Sequence, residues 1–187
     1  MRALLTIVLS SLVLASSAVA AEPDWWRNGG PRIRPQDDRT TTSIGAGVAR
    51  SASFRALVER IEASDVFVYV GMSPLLKSTM AGRLTWMTRA GGFRYVRAAI
   101  STGLSPDQII ASLGHELQHV VEVIDDGSVV DEKSLESLYK RIGRRSYASV
   151  TAAWETVAAQ DAGTRVRREL IAPPATAALR VIDSDKL

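Results

Sequence analysis

Across residues 105–125, SPDQIIASLGHELQHVVEVID, apolar and polar positions recur with the period of a helix. Leu113, Leu117, Val120 and Ile124 form an apolar stripe, widened by Ile109, Ile110, Val121 and Val123. Gln108, Ser112, His115, His119 and Glu122 form a polar stripe on roughly the opposite side, and the segment holds no Lys or Arg. Ser105 suits an N-cap, Pro106 the first helical position, and Asp107 the positive end of the helix dipole. A helix this apolar, without a basic residue, is predicted to be mostly buried. Its polar stripe then faces a site rather than bulk water.

The same periodicities predict the neighbouring elements. Phe54, Leu57, Val58 and Ile61 stand at helical spacing and predict a first helix over 51–63. DVFVYV at 65–70 is β-branched and aromatic and reads as a buried strand. A loop holding Pro74 follows, then two strands over 84–88 and 93–100 joined through Gly91-Gly92. Beyond Asp125-Asp126-Gly127, a helix is predicted over 130–142, with Leu135, Leu138, Tyr139 and Ile142 inward and Gly143 as its stop. A last, alanine-rich helix is expected over 149–170, and Pro173-Pro174 open a tail over 173–187. The predicted fold is α+β: a short antiparallel or mixed sheet packed on a central helix, with C-terminal helices, spanning residues 51–172. Residues 21–50, rich in Pro, Gly, Arg and Thr and carrying Trp25-Trp26, read as a loosely ordered arm.

Composition changes this picture in three places. Residues 1–20 combine Arg2, an apolar run and Ala18-Val19-Ala20, the pattern of a cleaved signal, so a secreted or periplasmic location is expected. The run is short for a membrane span, and no stable membrane insertion is expected after cleavage. Cysteine is absent, which excludes disulfides and thiolate metal sites. The net charge of +3 is mild, and the basic clusters at Arg144-Arg145 and Arg165-Arg167-Arg168 lack interleaved aromatics, so they read as solvated faces and not as a nucleic-acid site.

The candidate chemistry lies on the central helix. His115-Glu116-Leu117-Gln118-His119 is an HExxH pattern, and these are the chain's two histidines. Four residues is little more than one turn, so both imidazoles project from one face and can share a zinc ion. Glu116 stands beside them, placed to take a proton from an attacking water. With no thiolate available, any zinc is held by histidine and carboxylate, the donor mix of catalytic sites. The competing reading is an amphipathic helix with two incidental histidines.

HELQH on a capped helix behind a small sheet resembles the zincin metallopeptidases, and the chain is similar to a group of small secreted bacterial HExxH proteins, a likeness that brings no substrate with it. The resemblance implies His115 and His119 as zinc ligands, Glu116 as general base, and an edge strand that pairs with an extended peptide; residues 93–100 are the candidate edge. Trp154-Glu155-Thr156-Val157-Ala158-Ala159 looks like the gluzincin arrangement, in which a glutamate on a downstream helix is the third ligand, here Glu155. Ala152, Ala153, Ala158, Ala159 and Ala162 suit close packing of that helix on the HExxH helix.

Glu122 is the rival third ligand. It lies about 10 Å along the helix axis from His115. A role orienting His119 or a neighbouring group suits it better. Glu132, Glu136, Asp161 and Glu169 are the remaining carboxylates. Oxyanion stabilisation has no third histidine to draw on, leaving Tyr147, Tyr139, Arg94 or Arg97. The expectation is a secreted zinc peptidase acting on peptide or protein. The alternatives are a zincin-like domain that holds metal and binds a protein without cutting it, and an interaction module without metal.

Overall fold

The computed structural model describes residues 30–76, 80–146 and 153–172. Among them, five helices, a four-stranded mixed sheet and a two-stranded antiparallel pair form an α+β fold. The signal-like segment, Trp25-Trp26, Tyr147 and the tail lie outside the described residues. No described helix is long and apolar enough to cross a membrane.

The chain enters through β1 (Ile33–Pro35) and α1 (Asp38–Arg50), so residues 31–50 are not the loose arm that their composition suggests. Asp37 caps α1: Thr40 N donates to Asp37 Oδ1 at 2.8 Å. The buried positions of α1 are Thr40, Ser43 and Gly47, small residues that carry no hydrophobic period. Gly47 lies against the ring of Phe54, where a Cβ would come within 2.8 Å. Ser51 then caps α2 (Ala52–Glu62), its hydroxyl accepting from Phe54 N.

The main sheet runs in the order β1-β2-β4-β3, with β2 (Val66–Ser73) parallel to β1 and to β4 (Phe93–Ser101). Strand β3 (Gly82–Ala90) is antiparallel to β4 and forms the edge. The expectation that residues 93–100 form a free edge is therefore corrected. Both sides of β4 are hydrogen-bonded, because the Gly91-Gly92 turn (φ +59° and +82°) folds β3 back beside it. Register shifts between Trp86 and Thr88, a bulge that leaves Met87 exposed.

Val66, Val68 and Val70 share one sheet face with Val96, Ala98 and Ile100, all fully buried against Ile109, Ile110, Leu113, Leu117 and Val120 of α3 (Pro106–Asp125). The other face carries Phe67 stacked on Tyr95 at 5.1 Å, with the Arg34 guanidinium 4.2 Å above the Phe67 ring. Gln108 Oε1 accepts from Ser105 N at 2.9 Å to close the start of α3. At its far end the buried Arg94 donates to the carbonyls of Val123 and Asp126 and makes two bonds to Asp65, at 2.7 and 2.8 Å.

Helix α4 (Glu132–Ile142) starts at the Asp131 cap, two residues later than the pattern predicts. The expected helix over 149–170 begins only at Val157: Ala153–Glu155 is strand β6, paired with β5 (Arg144–Ser146), and α5 is Val157–Ile171. Thr156 is the reason. Its hydroxyl accepts from Ala159 N and starts the helix there. Helices α3 and α5 pack closely through glycine, since a Cβ on Gly114 would meet Val166 at 2.8 Å and one on Gly163 would meet Ala111 O and His115 Cβ at 3.2 Å. Ala159 and Ala162 of α5 are also buried.

Candidate metal centre

The polar stripe of α3 opens onto a cleft of about 1190 Å³. Gly82, Leu84 and Trp86 of β3 line one wall, Leu135 and Tyr139 of α4 another, and Trp154, Glu155 and Gly163 close the side formed by β6 and α5. Ser112, His115, Glu116 and His119 form the floor.

Spacing of four on α3 brings the two imidazoles to 4.9 Å between ring centres, with their planes 80° apart. Glu155 reaches them from the end of β6 rather than from a helix, and its Oε2 stands 3.1 Å from His115 Nε2. One ligand atom from each of His115, His119 and Glu155 lies within 4.8 Å of the others. Gly143 permits this delivery by strand: a Cβ there would sit 3.1 Å from Glu155 O and 2.8 Å from Tyr139 O.

Glu122 lies behind the site. His119 Nδ1 is 2.8 Å from Glu122 Oε2, and Thr156 Oγ1 donates to Glu122 Oε1. A carboxylate only accepts, so Nδ1 carries a proton, and in the neutral ring the lone pair lies on Nε2 of His119. The arrangement is the carboxylate–histidine pairing that orients metal-ligating imidazoles.

The electrostatics follow from this crowding. Burial disfavours a charged His115, but the Glu155 hydrogen bond and the nearby carboxylates outweigh it and raise its pKa from the usual 6.5. Burial likewise pushes Glu155 up, and the His115 ring more than reverses that, so the carboxyl is held below its usual 4.5. For Glu116 burial dominates and lifts the carboxyl above 4.5. Its Oε2 is buried without a hydrogen-bond partner among the described residues. Its other oxygen abuts Gly82, where a Cβ would come to 2.5 Å. An unsatisfied buried carboxylate oxygen beside two imidazoles is costly and calls for a chemical role or a bound group.

Two imidazoles and one carboxylate, with no thiolate, could hold a metal ion, and this donor chemistry is one that suits zinc. The other carboxylates named from the sequence stand elsewhere. Glu169 accepts from the hydroxyls of Ser51 and Ser53, both at 2.6 Å, and Glu136 pairs with Lys140 at 2.7 Å on a rim that also carries Glu132. Asp161 is exposed on α5.

Among the oxyanion candidates, Arg94 is locked at the opposite end of α3 and Arg97 is exposed on β4. Tyr139 does face the cleft, but its hydroxyl donates to His119 O at 3.2 Å, and burial, with the neighbouring carboxylates, holds its pKa well above 10. Sequence reasoning missed Thr156 and Gly82. The first carried a legible sign, a Thr placed to cap the run that follows it. Gly82 carried none, since its role comes from the approach of another element. No protein-family model, curated protein or solved structure matches the chain.

Proposed function

We propose that this protein is a secreted or periplasmic zinc-dependent peptidase of zincin type. The observation that carries the reading is the convergence of His115, His119 and Glu155 beside the buried Glu116, whose Oε2 has no partner among the described residues, in a cleft walled by an edge strand. His115, His119 and Glu155 hold the metal. When bound, zinc supplies Lewis acidity that polarises the scissile carbonyl and makes a water acidic enough to deprotonate near neutral pH.

The chain's own residues do the rest. Glu116, its affinity for protons raised by burial, accepts a proton from the attacking water as the new C–O bond forms. It then delivers that proton to the amine nitrogen as the C–N bond breaks. Strand β3 offers its outer backbone edge to an extended peptide, with Gly82 to Trp86 running along the cleft. Glu122 holds His119 in the tautomer that leaves Nε2 available.

Replacing Glu116 with Gln tests the reading: zinc content should stay near one per chain while peptide hydrolysis disappears. Hydrolysis at the wild-type rate in E116Q overturns the mechanism. A second reading, a zincin-like domain that holds metal and binds a protein without cutting it, draws on Tyr139, whose hydroxyl is engaged by a backbone carbonyl and not poised over the cleft. Digestion of a peptide library by the zinc-loaded protein separates the two, since cleavage excludes the binding-only reading.

A further inference from the structure

Thr156 follows Glu155 directly and stands at the junction of β6 and α5. It is 3% exposed, and its single hydroxyl does two jobs. As acceptor it takes the N–H of Ala159 at 3.1 Å and caps α5; as donor it bonds Glu122 Oε1. The second oxygen of Glu122 holds His119 Nδ1 at 2.8 Å. A continuous buried chain therefore runs from His119 through Glu122 to Thr156, one peptide bond from Glu155. Both oxygens of Glu122 are engaged, so this carboxylate serves as a hub between α3 and the β6–α5 junction.

Resting on the metal reading above, we infer that Thr156 is a positioning residue that couples two of the metal ligands. Through Glu122 it holds the orientation of His119, and through the backbone it holds the carboxylate of Glu155 at the height the imidazoles require. Among the described residues, the hydrogen bond from this hydroxyl ties the junction after Glu155 to the carboxylate that orients His119. An N-cap made for α5 alone needs only an acceptor, and asparagine or aspartate would serve equally. The donor function toward Glu122 is what singles out a hydroxyl.

The test measures zinc affinity of the full chain by competition with a chromophoric chelator, with thermal melting of the metal-free protein in parallel. Thr156→Val, which keeps shape and loses the hydroxyl, should weaken zinc binding roughly 10- to 100-fold, the range found when outer partners of metal ligands are removed. Thr156→Ser should restore affinity to within a few-fold of wild type. In combination with Glu122→Gln, Thr156→Val should add little, because both changes cut the same chain.

Retained zinc affinity in Thr156→Val, with only a lowered melting temperature, reduces Thr156 to a helix cap and overturns the inference. Full additivity with Glu122→Gln does the same. His115→Ala serves as the reference: if it leaves zinc affinity unchanged, the metal reading itself fails, whereas loss in His115→Ala with none in Thr156→Val removes this inference alone.

Discussion

Gly82 and Glu116 touch so closely that one added methyl group tests the role proposed for Glu116. A Cβ at Gly82 would come within 2.5 Å of Glu116 Oε1 and 2.8 Å of its Cγ, so the buried side chain of Glu116 has to shift. On the proposed metal reading, Gly82→Ala should keep its zinc while losing about 1–3 kcal/mol of stability to the overpacking. Its peptide hydrolysis should fall on the order of 10²-fold, the effect of moving a reacting group by about 1 Å; an unchanged kcat refutes the contact's importance. Asp65 gives a second prediction at this scale. Hydrogen bonding to the Arg94 guanidinium holds its carboxyl below the usual 3.8. A depressed pKa in the folded state contributes stability above the unfolded value, and the contribution is lost as pH falls through the folded one. Asp65→Asn should thus cost roughly 1–2 kcal/mol at neutral pH, less than a fully buried pair because Asp65 is half exposed. The gap between variant and wild type should close below pH 3.8, as read from urea melts over a pH series.

Helix α1 shows at the scale of an element what a hydrophobic period leaves out. Its inward positions are Thr40, Ser43 and Gly47, so the helix is invisible to a search for leucine-like spacing, although the Asp37 cap was readable. The strand β6 escaped for a related reason: alanine-rich sequence on both sides of Trp154 favours a helix locally, and only pairing with Arg144–Ser146 makes it a strand. By contrast the HExxH helix, β2 and the β3–β4 hairpin were legible, because period, caps and the Gly91-Gly92 turn agree at every level. Two glycines in α1 convert this into an opposed pair of expectations. Gly45→Ala, with nothing within 4 Å of the new Cβ, should stabilise the protein by about 0.5–1 kcal/mol. Gly47→Ala, driven into the Phe54 ring, should destabilise it by about 1–3 kcal/mol. Chemical denaturation midpoints of the two variants should move in opposite directions.

For the molecule as a whole, the candidate centre joins parts far apart in sequence: α3 supplies the imidazoles and β6 of the β5–β6 pair the carboxylate. The imidazole pair could be read from a single spacing of four residues, whereas Glu155 among several carboxylates could be singled out only by resemblance, since the fold decides which acid arrives. A metal bound across this junction stabilises the whole chain, by about 2.7 kcal/mol at one hundred times its dissociation constant. Chelator should accordingly lower the melting temperature of the zinc-loaded protein, and Glu155→Gln should abolish most of that shift; a melting curve indifferent to both contradicts the proposed centre. The bulge at Met87 has a consequence of another kind. It breaks the regular run of β3, leaving a straight stretch from Gly82 to Trp86 of about 17 Å at 3.4 Å per residue. On the proposed peptidase reading the bulge acts as a ruler, limiting a peptide laid along β3 to some five residues of backbone pairing, and the short straight run leaves neighbouring copies little edge to zip onto.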